Sequence, residues 1–340
     1  MVALFIVSVP EASGKTAVGI GFGRRLRDEG KKVGFLRQVR SGESPEKSAA
    51  DAGFAKKSHG LTEDIRSLRP ALAGGKALAD QTRKAYIEVS QNKDVVIIEG
   101  YCGKTPNDEN SQTAYEIARA LKAKVIAVEN YARGKSAPQY IDSYLGFGEN
   151  LLGFLLNRVP KNKLKRTGEE LSSRLAGSKM AIIGVLPEAR PLVAFTVGEL
   201  AEQINGQLLD NGEKAGELVE NVMVGAMYVD SGLDYFGRKA GKAAVVRNER
   251  PDMQMAALET ATRCLVITGS GEPMDYVRFK AEEKDVPVIT TQHDTDTVIR
   301  HIEDLLDATR FNQEKKLNRL AEVLQANIDF KTLYAGLGLT

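Results

Sequence analysis

The sequence predicts an α/β protein: a doubly wound, mostly parallel sheet domain followed by a second, smaller α/β domain. Three observations predict it. Short apolar runs alternate with helical stretches along most of the chain. Most of these runs are continuously apolar, as expected for parallel strands covered on both faces. The alternation breaks once, at the proline-bearing stretch 187–196, "PEARPLVAFT", and then restarts. Repeated strand–helix alternation implies right-handed crossovers. The 340 residues suffice for two domains, at roughly 150 residues each. The expected boundaries are 1–189, 190–308 and a C-terminal helix and tail at 309–340.

In the first domain the strands are "ALFIVSV", "KVGFLRQ", "DVVIIEG", "KVIAVEN", "LLGFLLN" and "MAIIGVL". Helices are expected over 14–29, 48–58, 76–92, 110–122 and 161–175. Residues 187–196 read as a linker, with a helix near 197–205. "NGQLLDNGEKAG" is polar and glycine-rich and reads as a loop. The strands "NVMVGAM", "KAAVVRN", "CLVITGS" and "VPVITTQ" then alternate with helices up to residue 306. The tail carries Phe311, Leu317, Leu320, Leu324 and Ile328 at helical spacing. Such a stripe either packs on the chain's own domain or forms an oligomer contact, and a homodimer is one expectation.

Composition excludes several classes. A hydrophobic content of 42% can fill real cores, and a net charge of +2 advertises neither nucleic acid nor membrane as a partner. Two cysteines, Cys102 and Cys264, cannot build a disulfide framework and fit a reducing compartment. The three histidines show no metal-type spacing. No apolar run approaches the ~18 residues of a membrane span, so a cytoplasmic protein is expected.

The chemistry concentrates near the N-terminus. "SGKT", residues 13–16, lies between an apolar strand and an amphipathic helix. A phosphate-binding loop needs backbone N–H groups curled around the phosphates, a lysine for the β/γ-phosphates and a hydroxyl for Mg²⁺. The N–H groups of Glu11, Ala12, Ser13, Gly14, Lys15 and Thr16 form the expected cradle. Lys15 supplies the charge and Thr16 the metal-ligating hydroxyl. The first glycine of the usual pattern is replaced by Val9, followed by Pro10. That stiffens the exit from the strand without removing the donors. Mg²⁺ usually takes a carboxylate as well. Glu99 ends a buried strand, where open α/β sheets place ligands, and Asp51 is a second candidate. The structural alternative for Glu99 is a salt-bridged strand end.

These residues resemble the dethiobiotin synthetase-like proteins. That family includes the N-terminal domain of long phosphate acetyltransferases and relatives of cobyrinic acid a,c-diamide synthase. The likeness is carried by "SGKT", "VGFLRQV", "DAGF", "IIEGYCG", "GFLLNRVP" and "IIGVLPEAR", in family order over residues 13–190. Residues 190–308 resemble a DRTGG domain through "VGELAEQINGQLL", "VGAMYVDSGLDYF" and "PDMQMAALETATRCLVITG". The resemblance implies ATP with Mg²⁺, held by Lys15, Thr16, Asp51 and Glu99, with Asn157 and Pro187 beside the base. One departure stands out. The family's strand-2 lysine, in "F-K-P", is replaced by Arg37 followed by Gln38. Arginine keeps its proton and presents a fork, which argues against an ordinary dethiobiotin synthetase reaction. The acetyl-transferring domain of the long enzymes finds no counterpart in the sequence.

In the second domain the loops "RNERP", "TGSGEP" and "TQHDTDT" follow strands and precede helices. They share one rim, where Asn248, Arg250, Gly269, Ser270 and Thr295 are candidates for a phosphate or carboxylate ligand. The alternative is that Asn248, Ser270 and Asp294 are helix caps. Two functions fit. One is a nucleotide-responsive regulatory protein whose partner is a small molecule or a metabolic enzyme. The other is an ATP-dependent ligase or carboxylase, in which Lys15 and Arg37 serve catalysis and Arg37 holds a substrate carboxylate.

Overall fold

The structure, a computed structural model, describes residues 1–9, 13–38, 45–69, 76–132, 139–177, 180–210, 212–226, 232–308 and 311–339. Chain contacts divide it into two units, Met1–Ala189 with Phe311–Thr340, and Arg190–Arg310.

The first unit alternates as its apolar runs require. Its order is β1 (Val2–Val7), α1 (Lys15–Asp28), β2 (Val33–Arg37), α2 (Pro45–His59), α3 (Ile65–Leu68), α4 (Lys76–Val89), β3 (Val95–Glu99), α5 (Glu109–Ala120), β4 (Lys124–Asn130), α6 (Ile141–Leu145), β5 (Leu151–Val159), α7 (Leu164–Leu175) and β6 (Ala181–Pro187). All six strands are parallel, in the order β2-β3-β1-β4-β5-β6. Every residue of β3 is buried, as is Ala3 to Val7 of β1. Helices on both faces account for this and for the absence of alternation in those runs. The direction of winding reverses at β1, which lies between β3 and β4. Open α/β sheets form their ligand crevice beyond the carboxyl end of the strands at such a point.

The tail belongs to this unit. It forms α13 (Leu317–Asn327) and α14 (Phe330–Leu337). Leu320, Leu324 and Ile328, from the sequence stripe, are buried together with Val323. The Asp329 amide donates to Ile183 of β6 at 2.8 Å. The stripe is therefore spent on the chain's own first unit.

In the second unit, β7 (Phe195–Thr196) leads into α8 (Val197–Gln203), then β8 (Gln207–Asp210), β9 (Leu218–Val219) and β10 (Asn221–Val224). There follow α9 (Gly232–Phe236), β11 (Lys242–Arg247), α10 (Pro251–Leu258), β12 (Thr262–Thr268), α11 (Asp275–Glu283), β13 (Val288–Thr291) and α12 (Thr295–Ala308). The sheet runs β10-β11-β12-β13-β8. Successive residues of β11 feed opposite cores: Ala243 and Val245 pack with Leu200 and Ile302, Ala244 and Val246 with Phe236 and Met253. The expected loop "NGQLLDNGEKAG" contains β8, which pairs antiparallel with β13. Leu208 and Leu209 reach one core each, so a two-leucine run among turn-formers is enough for an edge strand. The expected linker likewise holds β7, whose Thr196 forms a capping box with Glu199 of α8. Among the described residues, no helix is long and apolar enough to cross a membrane.

Candidate functional site

The end of β1 and the head of α1 lie at the reversal of the sheet. Gly14 precedes the helix in the left-handed region, with φ 93°. A Cβ at this position would lie 2.3 Å from Asn157 Nδ2, so both conformation and space call for glycine. The Val18 amide donates to the Gly14 carbonyl at 3.0 Å and starts the helix. No residue of the first turn of α1 is acidic, and the positive dipole end of a helix favours an anion. Lys15 Nζ donates to Ser8 Oγ at the end of β1. Ser13 Oγ is buried and has no partner among the described residues. An unpartnered hydroxyl, a left-handed glycine and a lysine thus follow one another at the head of a helix, a combination that suits an anion. Glu11 and Ala12, expected in the same cradle, lie outside the described residues.

Thr16, Asp51 and Glu99 also come together, as the metal expectation required, but they surround a protein cation. Thr16 Oγ1 donates to Glu99 Oε2 at 3.0 Å. Arg37 NH1 lies 2.9 Å from Glu99 Oε2 and 3.4 Å from Thr16 Oγ1. Arg37 NH2 lies 3.1 Å from Asp51 Oδ2. Glu99 is 2% exposed and Asp51 6%. Burial pushes the Glu99 carboxyl above the usual range, while the Arg37 guanidinium acts in the opposite direction. The oxygen donors are of the kind a hard cation takes. With Arg37 among them, however, the residues as arranged do not fit Mg²⁺. The same contacts leave the Arg37 fork facing its own carboxylates, where a substrate-anchoring residue would present it outward.

Asn157 lies near the end of β5, two residues before its last. Its Nδ2 donates to the Ser13 carbonyl at 2.9 Å, and its Oδ1 accepts from the Arg158 amide at 2.9 Å. Both ends of the amide brace the protein. Pro187 closes β6 opposite Val159. Cys102 is buried, and burial pushes its thiol up to about 12, which makes it a filler and not a nucleophile. Two residues escaped the sequence reading. Ser8, the first polar residue after the β1 run, receives the lysine. Glu129 is buried near the end of β4 and accepts from the Gln139 amide at 2.7 Å. The signal that marks Glu99, a carboxylate closing an apolar strand, marks Glu129 equally.

In the second unit the rim loops do converge. Asn248 Nδ2 donates to the Ser270 carbonyl at 3.1 Å, and the Gly269 amide to the His293 carbonyl at 2.9 Å. Thr295 Oγ1 and Thr268 Oγ1 are 2.8 Å apart. Arg250 forms a bidentate pair with Asp252, Nε to Oδ1 at 3.0 Å and NH2 to Oδ2 at 2.8 Å. Asp294 caps its helix by accepting from the Thr297 amide at 2.7 Å. Most polar groups of this rim are thus engaged in building it.

Comparison with known proteins gives two domain matches: residues 2–196 to an AAA domain and residues 199–305 to a DRTGG domain. Among curated proteins, the chain is 23% identical over 361 residues to a phosphate acetyltransferase of Nitratidesulfovibrio vulgaris, covering 97% of this chain and 51% of the relative. It is 23% identical over 371 residues to the phosphate acetyltransferase of Pseudomonas aeruginosa, covering 98% and 52%. The chain therefore spans about half the length of the curated relatives it matches. Among solved structures, the MinC:MinD cell division complex of Aquifex aeolicus is 23% identical with a TM-score of 0.38, covering 57% of this chain and 84% of that one. The CBS and DRTGG domains of the regulatory region of Clostridium perfringens pyrophosphatase, complexed with its activator diadenosine tetraphosphate, are 18% identical with a TM-score of 0.31, covering 42% and 57%.

Proposed function

The chain belongs to the AAA-domain family, matched over residues 2–196 and followed by a DRTGG domain, and from that premise we propose that it is an ATP-binding regulatory module. The observation that carries this reading is the head of α1, where the Ser13 hydroxyl, without a partner among the described residues, Gly14 and Lys15 stand in succession at the reversal of the sheet. ATP places its phosphates there. Lys15 leaves Ser8 for the β/γ-phosphates, and the helix dipole adds to its attraction. Asn157, near the end of β5, and Pro187, at the end of β6, flank the base. The expected Mg²⁺ does not fit while Arg37 stands between Glu99 and Asp51, so no step is assigned to it.

Regulation is favoured over ligase or carboxylase chemistry by the same contacts. A ligase would need Arg37 or an equivalent cation turned toward substrate, and here it is neutralised by two buried carboxylates. In this reading the DRTGG domain binds a second small molecule, and the output is the activity of an acetyl-transferring enzyme of the kind the relatives are. Thermal unfolding with ATP tests the reading, because a ligand of the native state raises stability by linkage. ATP at about 1 mM raises the unfolding midpoint of the wild type and leaves Lys15→Ala unmoved. An identical midpoint with and without ATP in the wild type contradicts it.

A further inference from the structure

We infer that Arg37 is a built-in replacement for the divalent cation of the phosphate site, so that the nucleotide binding proposed above proceeds without Mg²⁺. The inference rests on that reading for its ligand, but its geometry stands by itself. Three oxygens define the place: Thr16 Oγ1, Glu99 Oε2 and Asp51 Oδ2. The guanidinium meets them at 3.4, 2.9 and 3.1 Å. An ion held by all three competes with the guanidinium that already contacts each of them.

The charges agree with this placement. Glu99 and Asp51 are both buried, and a buried carboxylate needs a partner. Arg37 stays protonated at any working pH, and its planar fork reaches both carboxylates at once. A compact ammonium at the same position would satisfy one geometry at a time. Arg37 already stands against both carboxylates and offsets part of their charge, which weakens the electrostatic attraction that recruits Mg²⁺ to a paired-carboxylate site. Thr16 is fixed by its own donation to the same Glu99 oxygen that Arg37 contacts. Its hydroxyl is thereby oriented as a hydrogen-bond donor to a carboxylate, with its lone pairs toward Arg37.

The test compares ATP binding to the full chain in EDTA and in Mg²⁺, and Mn²⁺ binding without nucleotide. The wild-type ATP affinity changes by less than about twofold between EDTA and about 5 mM Mg²⁺, whereas Arg37→Ala prefers Mg²⁺ by about tenfold or more. Without nucleotide, Mn²⁺ at about 1 mM is excluded by the wild type and bound by Arg37→Ala. If Arg37→Ala does not fold, Arg37→Lys takes its place and acquires part of the Mg²⁺ preference, because one ammonium cannot bridge both carboxylates. A wild-type affinity that falls about tenfold or more in EDTA overturns the inference and leaves the nucleotide reading intact. Absence of ATP binding in both buffers overturns the nucleotide reading; Mn²⁺ bound by the ligand-free wild type overturns the role of Arg37.

Discussion

Val9 stands where a phosphate loop ordinarily begins with glycine, and its surroundings explain the exchange. Its side chain is 7% exposed, and its amide donates to the Tyr144 hydroxyl at 3.4 Å. Valine here extends the buried surface of the strand, while the donors nearer the helix are left to the residues that follow. His59 carries a prediction at the same scale. It is 3% exposed, packs on Phe35 at 5.8 Å between ring centroids, and neither ring nitrogen has a partner among the described residues. Burial first, and the Arg27 charge second, lower it from 6.5 to about 4. The unfolded chain therefore takes up this proton before the folded one does. Stability is complete above pH 6.5 and is lost as pH falls toward 4. The loss is on the order of 3 kcal/mol at most. Thermal midpoints measured across this range should decline in the wild type, and His59→Leu should flatten that decline. An unchanged decline in His59→Leu assigns it to other groups.

At the scale of elements, the contact between α1 and α13 decides how the tail is held. Gly21 faces α13, and a Cβ there would come within 2.1 Å of Leu324 Cδ1. Gly21→Ala is expected to destabilise the first unit by roughly 1–3 kcal/mol, although alanine favours the helix. Leu324→Ala is expected to cost about 2–4 kcal/mol through the cavity it leaves. The double variant should be less destabilised than the sum, since the new methyl enters the space the leucine vacates. Strict additivity in denaturant titrations contradicts this packing. The sequence shows the amphipathic stripe of the tail but not its destination, because nothing in a heptad-like pattern says which surface lies opposite. The edge strand β8 was hidden for a related reason. Its two leucines are flanked by turn-formers, and only its pairing with β13 makes it a strand.

At the scale of the molecule, the first unit was legible nearly throughout. Six apolar runs became six parallel strands, and the residues at their carboxyl ends met at the reversal of the sheet. Local signals singled out Lys15 and Thr16 through the "SGKT" motif and Glu99 as a carboxylate closing an apolar strand, with Asp51 a second candidate. What they hold between them was not legible. That Arg37 would turn inward depends on the register of β2 against β3, which sets Arg37 opposite Glu99. The central claim is that the head of α1 grips a nucleotide through Lys15. Calorimetric titration of the full chain with ATP, beside Lys15→Ala, tests it most directly. The account predicts one saturable site per chain in the wild type and an affinity weakened by at least about tenfold in the variant. Equal affinity in both proteins, or no saturable heat in the wild type at millimolar ATP, contradicts it.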